Sequence, residues 1–399
     1  MPERLPARVL SFGRTLRNVQ RLVRAELRGS ASAPLSDRLW AYRRGFTTDS
    51  FVRYGLTSEN AHEYVSDVDR YIRTPKINGP YAEALNNKIV LSRIVVSHGV
   101  RAPEYYAIIE DGVFRPMGTA LELRSVDDVL DACAAGSEFV VKPWSGGSGV
   151  RVLSLTNEDG TVVLNHTVKD SREVRAALTS VHDGVISEFI RQHPYADRVF
   201  PHSTNSIRIL TMCDPDTSEP FIPFAGHRFG RPCTAPTDNI SRGGIPALVD
   251  VDRGVLVKGY PHGDMGAGGW LERHPDTGAQ LAGLELPNWD RVVSGLLDLC
   301  REIAYIPYVG WDIVITEDGF AIIEGNNYPD LGHQAFYPLL IDPRVRRFYE
   351  HHGVVRPLAT RGGHRTSAPS GKDEPSTPGS ARNPSDPEEA DRSAAPRRT

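Results

Sequence analysis

No apolar run in the 399-residue chain approaches the ~20 residues that a membrane-spanning helix requires. The N-terminus also has no apolar core of a signal peptide, so cytoplasmic residence is expected. Cysteine is scarce. The four, Cys133, Cys213, Cys233 and Cys300, lie far apart, without a C-x-x-C pair or a histidine set at zinc spacing. They read as small hydrophobes in a reducing compartment. Charge of one sign is not in excess: the formal net charge of −4 gives no electrostatic case for nucleic acid as a partner. Neither G-x-x-x-x-G-K-[ST] nor G-x-G-x-x-G between strand and helix is present, which excludes the usual strand–loop–helix phosphate cradles. No Ser-His-Asp or Cys-His arrangement is apparent, so a covalent enzyme intermediate is not favoured. What is there is an ordinary globular mixture, 40% hydrophobic and 24% charged, long enough for two or three packed subdomains.

The most informative stretch is residues 311–327, WDIVITEDGFAIIEGNN. Two apolar runs flank a Gly-containing turn, the pattern of a β-hairpin with a three-residue loop and Gly319 at positive φ. If Thr316 pairs with Phe320, Asp312 falls opposite Glu324 and Asn326 projects from the same face. A two-residue loop puts Asp312 opposite Gly325 and dissolves the pairing. Directly opposed carboxylates stand about 5 Å apart, and at an effective dielectric of ~20 they repel by roughly 3 kcal/mol. A cation relieves this, and all-oxygen donors select a hard one, Mg²⁺ or Mn²⁺. Neutralising both acids is therefore expected to abolish metal-dependent turnover and to raise stability without metal. The alternative is a plain hairpin whose acids face water.

The rest of the chain divides by pattern. Residues 1–80 read as a helical N-terminal region. Its first 30 residues are rich in arginine, with Leu10, Leu16, Val19, Leu22, Val23 and Leu27 on a rough helical stripe. Such a helix lies on an anionic membrane surface or packs as a solvated helix on its own domain. A mitochondrial presequence looks similar, but Glu3 and Glu26 count against it. Residues 81–136 read as a linker with a helix over 86–100, Lys88 at its start and Gly99 at its end, a strand over 105–109, and a helix capped by Ser125. Residues 137–195 hold a strand ending at Lys142, a glycine-rich loop over 144–149 flanked by strands, and a strand over 184–190 that bears Glu188. The loop reads as a β-hairpin flap whose backbone N–H groups are able to cover phosphates, or as a mobile turn. Residues 196–358 hold a strand at 207–212 flanked by Asn205 and Arg208, a polar loop over 238–244, and irregular chain over 260–287. A helix capped by Asn288, the 311–327 hairpin and a short helix over 337–349 complete this part. Substrate contact or plain turn chemistry are both open for Asn239, Arg242, His262, Asp264 and His274. Residues 359–399 lack the hydrophobic residues needed to order themselves.

Taken in order, RRGF, SDVDRY, NNK, VVKPWSGGSG, SEFIRQHP, NSIRILT, DNISRGG, HPDTG and GWDIVI…IIEGNN resemble the ATP-grasp superfamily, specifically its sugar-transfer-associated branch. The resemblance runs from about residue 43 to 340. It implies an α+β fold with ATP clamped between two α+β subdomains. Lys88 and Lys142 would contact the phosphates, and the backbone of Ser145, Gly146, Gly147, Ser148 and Gly149 would fold over them. Glu188, Phe189 and Ile190 would border adenine and ribose. Asp312, Glu324 and Asn326 look like Mg²⁺ ligands. Arg208 resembles the arginine placed near the transferred phosphoryl group, with Lys142 and Asn205 beside it. The acidic ribose ligand of many relatives is missing, and Gln192 or His193 would substitute. The usual reaction of such enzymes is ligation of a carboxylate to an amine through an acyl phosphate, here on small-molecule or sugar-linked substrates. A phosphotransferase acting on a hydroxyl, and a nucleotide-binding scaffold without turnover, are the alternatives.

Overall fold

The computed structural model describes residues 7–29, 31–143, 152–158, 161–261 and 269–357. The expected flap at 145–149, His262 and Asp264, and the expected disordered tail at 359–399 lie outside them. The chain opens with three helices, α1 (Ala7–Arg28), α2 (Leu35–Arg43) and α3 (Thr48–Tyr54), followed by short 3-10 and π turns. The Thr47 hydroxyl caps α3 by accepting from the Ser50 N–H at 3.2 Å. Two further helices, α4 (Ala82–Asn86) and α5 (Lys88–Ser97), are separated only by Asn87. The Asn87 side chain accepts from the amides of Ile89 and Val90, and Gly99 at φ +75° ends the segment.

Seven antiparallel strands form the first sheet: β1 (Tyr105–Glu110), β2 (Val113–Pro116), β3 (Phe139–Lys142), β4 (Leu153–Glu158), β5 (Thr161–Leu164), β6 (Thr167–Val168) and β7 (Gly184–Glu188). Their order is β2-β1-β7-β3-β4-β5-β6. The strands at 105–116, expected as part of a linker, thus join this sheet through pairing of β1 with β7. Helices α6 (Val126–Ala134) and α7 (Ser171–Thr179) cover it. Val129, Cys133, Val174 and Leu178 pack on Val141, Leu155 and Ile186. Ser125 caps α6 as expected, and Asp170 with Glu173 forms a capping box on α7. β3 and β4 pair antiparallel.

After α8 (Pro194–Val199), the second sheet comprises β8 (Ile207–Cys213), β9 (Pro220–Phe229), β10 (Ile245–Asp250), β11 (Val255–Gly259), β12 (Tyr308–Thr316) and β13 (Gly319–Asn326), in the order β11-β10-β9-β8-β12-β13. Period-two alternation sends Ile207, Ile209, Trp311 and Ile313 to one face. There they meet Val292, Leu296 and Leu299 of α9 (Trp289–Glu302). Leu210, Met212 and Tyr308 point the other way, onto Val345, Phe348 and Tyr349 of α10 (Pro343–His351). Asn288 precedes α9 at φ +57°, and its side chain makes no capping bond, against expectation. Asparagine tolerates this left-handed conformation.

The N-terminal helical region is fastened to the chain that follows β13. The Gln334 side chain brackets Val65, accepting from its N–H at 2.8 Å and donating to its carbonyl at 3.1 Å. Asn78 donates to Asn327 Oδ1 at 2.9 Å, and Arg70 pairs with Asp330 at 3.0 Å. Burial raises the Asp330 carboxyl, but Arg70, the Gly332 amide and Arg53 overcome it and hold its pKa well below the carboxylate range.

Candidate active site

The β12–β13 turn has two residues, Glu317 and Asp318, with Thr316 opposite Gly319 rather than Phe320. A three-residue loop was expected, and a turn one residue shorter changes the register. A β-bulge corrects it. Ile313 pairs with Ile322 and Asp312 with Glu324, which leaves Ile323 as the extra residue. Ile323 packs on Ile190, Val314 and Ala321, a small apolar patch beside the acids. Gly319 has the expected positive φ, at +146°.

Neighbouring strands complete this face. Arg208 on β8 lies directly opposite Asp312 and, on its other side, opposite Gly226 of β9. Arg228, two residues beyond Gly226, therefore shares that face. Arg208 donates through Nε and Nη2 to both oxygens of Asp312, and Arg228 Nη2 reaches Asp312 Oδ2 at 3.1 Å. Burial alone would raise the Asp312 carboxyl. The two guanidiniums outweigh it and hold the pKa below its usual value. Arg228 is also tied to Asp238, at 3.3 Å, and Asp238 in turn accepts from the amide and hydroxyl of Ser206.

Glu324 stands on the outermost strand, and α4 and α5 pack against it. Any Cβ at Gly325 would stand 2.9 Å from Leu91 Cδ2 and 3.2 Å from Leu85 Cδ2, so glycine permits the close approach. That approach brings Lys88, at the first residue of α5, to Glu324, with Nζ–Oε1 at 3.2 Å. Lys142, at the end of β3, comes from the first sheet into electrostatic reach of both Lys88 and Glu324. Its ammonium lies 5.6 Å from the Tyr105 ring centroid. Burial first, and repulsion by Lys88 second, lower the Lys142 pKa to about 8, with Glu324 opposing. Lys88, Lys142, Arg208, Asp312 and Glu324 thus converge where the two sheets meet. Asn326 Nδ2 donates to the Gly310 carbonyl at 3.1 Å, which turns its Oδ1 the other way.

Other expected site residues belong to the frame. Asn205 is 2% exposed. Its Nδ2 donates to the carbonyls of Ala196 and Phe200, and its Oδ1 accepts from the Gly230 amide and the Ser203 hydroxyl. Gln192 Nε2 donates to Asp197 and to the Ser203 carbonyl, and its Oε1 accepts from the Asn205 amide. The His193 ring accepts from the Tyr195 amide to cap α8. All three brace the loops around α8, because buried polar groups there need partners and the loop backbone supplies them. Glu188 pairs with Arg101 at 2.8 Å and accepts from the Glu104 amide, the Phe189 amide bonds the Glu138 carbonyl, and Ile190 is buried. His274 is also buried, with its ring against the Gly230 carbonyl. Asn239 caps a 3-10 turn through the Ser241 amide, and Arg242, in that turn, is exposed. The acids alone do not make a cluster of metal-ligating groups: no set of three or more His, Cys, Asp or Glu side chains is placed for a metal among the described residues. Arg228 was not foreseen. Its only signal is the pairing of β8 with β9, which a linear pattern does not display.

Residues 69–347 match the family of sugar-transfer-associated ATP-grasp proteins. No curated protein matches the chain. Among solved structures, N5-carboxyaminoimidazole synthetase from Staphylococcus aureus with ADP is similar at 10% identity, covering 67% of this chain and 52% of that one, with a TM-score of 0.38. The ATP-grasp ligase PsnB with a precursor variant, Mg and ADP stands at 13% identity, 68% and 61% coverage and a TM-score of 0.36. L-amino acid ligase from Bacillus licheniformis stands at 12%, 66% and 47%, and 0.35. The chain spans about half to three fifths of the length of the solved structures it matches. The chain belongs to the sugar-transfer-associated ATP-grasp family.

Proposed function

We propose that this protein is an ATP- and Mg²⁺-dependent ligase joining a carboxylate to an amine through an acyl phosphate, with a sugar-linked or polysaccharide-precursor carboxylate as substrate. The observation that carries the reading is the meeting of Lys88, Lys142 and Arg208 with Asp312 and Glu324 on one face between the sheets. In-line phosphoryl transfer depends on positioning and charge neutralisation, and this face supplies both. Lys88 and Lys142 bind and orient the ATP phosphates. Ile323, half-buried on Ile190, Val314 and Ala321, offers the base an apolar contact beside the acids. Arg208, steadied by Asp312, holds the acceptor carboxylate in line with the γ-phosphate. A carboxylate oxygen attacks phosphorus and ADP leaves. The amine nitrogen then attacks the acyl carbon, phosphate departs, and the amine gives up its proton.

Asp312, Glu324 and Asn326 fit a hard divalent cation. All three offer oxygen, and a carboxylate has lone pairs beyond those the guanidiniums use. They would hold Mg²⁺ or Mn²⁺, which when bound neutralises phosphate oxygens.

Hydroxylamine trapping tests the reading. A hydroxamate formed in step with ADP release is expected from candidate carboxylates incubated with Mg-ATP. A stable phosphorylated product without hydroxamate would assign transfer to a hydroxyl and overturn the ligase. No ADP release under any condition would favour a scaffold.

A further inference from the structure

We propose that the outer face of α1 docks on an anionic membrane surface. Leu16, Val19, Val23 and Leu27 are 50%, 40%, 50% and 78% exposed. At 100° per residue these four fall within an arc of about 80°. Asn18, Leu22 and Ala25, on the other side, are half-buried. The helix is pinned in this orientation. Glu26 accepts from the Tyr42 hydroxyl and from the amide and hydroxyl of Thr48, and Arg21 lies over the Tyr328 ring at 5.6 Å. The apolar stripe is therefore turned away from the folded body by fixed contacts.

Charge selects the occupant. The helix sequence holds six arginines against one glutamate, in a chain whose formal net charge is −4. A cationic helix on an acidic body is complementary to anionic lipid. A two-fold pairing of the same face between copies would instead oppose like charges. Arg24 is exposed about 60° from the edge of the stripe, where its guanidinium reaches lipid phosphates while the aliphatic side chains enter the acyl boundary. None of the described helices is long and apolar enough to cross a membrane, so α1 would lie in the interface. The contact of Arg21 with Tyr328 also puts the loop after Asn326 next to the docked helix. A lipid-anchored acceptor would then meet the site without leaving the surface. The docking does not depend on the ligase reading.

The test is co-sedimentation of the full chain with phosphatidylcholine vesicles, with and without about 30 mol% phosphatidylglycerol. Binding to the anionic vesicles alone is expected, with loss of most of it when salt is raised from about 0.05 to 0.5 M. Leu16→Ser, Val19→Ser, Val23→Ser and Leu27→Ser combined should weaken binding at least tenfold and leave the thermal melt unchanged. Leu27→Asp, at the most exposed position, gives the same test with one change. Wild-type protein that ignores anionic vesicles, or binding that survives both variants, would overturn the proposal. So would a dimer in sedimentation velocity that Leu27→Asp dissociates, since the face would then belong to a second copy.

Discussion

Consider Asp312→Asn combined with Glu324→Gln, in the absence of added metal. From the hairpin alone the two acids repel, and their removal should stabilise the fold. The structure reverses the sign. Asp312 is 3% exposed and receives three donors from Arg208 and Arg228. Removing one partner of a buried ion pair costs about 3–5 kcal/mol, because the remaining charge is left uncompensated. Asparagine keeps one acceptor oxygen, and Asp238 still pairs with Arg228, so roughly 3 kcal/mol is expected. Glu324 is 27% exposed on its side chain, and its pair with Lys88 adds about 1 kcal/mol or less. At ~2.1 cal/mol/K per residue over roughly 350 folded residues, ~4 kcal/mol lowers Tm by about 5 °C. The assay is thermal and urea unfolding of both proteins in chelator. Because the Asp312 pKa is depressed, its contribution is fully present above the unfolded value of about 4 and is lost as pH falls through the folded value. The gap between wild type and variant should therefore narrow below about pH 4. In an Arg208→Met background, Asp312→Asn should cost markedly less. A double variant that melts at or above the wild-type temperature at pH 7 would refute the reasoning.

Two further perturbations separate chemistry from framework. Lys142 titrates near 8 in the fold against 10.5 in the open chain, so the unfolded state holds the extra proton between those values and stability should rise with pH across that window. Lys142→Met should abolish this rise in a Tm-against-pH series, and in the wild type the KM for Mg-ATP should climb above pH 8, by up to tenfold per unit, if the ammonium binds phosphate. Asn205→Ala leaves two carbonyls, an amide and a hydroxyl short of partners, and should cost about 2–4 kcal/mol in urea unfolding. Its kcat well below the melting temperature should stay near wild type, and normal stability with lost turnover would return Asn205 to the chemistry.

Local signals carried far in this chain. The cap at Ser125 is written in neighbouring residues, as are the apolar face of α9 and the positive φ of Gly319. The order of motifs from RRGF to IIEGNN carried the family, because many spaced pieces constrain more than any one. What stayed hidden depends on contacts between distant segments. The bulge at Ile323 is a choice between registers that Ile190, Val314 and Ala321 decide by packing. Arg228 enters the site only once β9 lies beside β8, and β1 joins the first sheet only through residues 184–187. The repulsive carboxylate pair was legible, but the guanidiniums and ammonium that compensate it come from three other elements.

The bulge in β13 has a consequence for how this protein tolerates change. Turn length sets strand phase, and a shift of one residue ordinarily inverts every side chain beyond it. Here Ile323 absorbs one unit of phase between the turn and the acids, so the two ends of the hairpin obey separate rules. Loss of Ile323 alone leaves Ile313 opposite Ile322 and brings Glu324 to the next regular position, opposite Asp312, so the acids still pair without the bulge. A regular ladder that kept Ile323 would instead set it opposite Asp312 and turn Glu324 to the Trp311 face, so the acids meet only while the extra residue stays looped out.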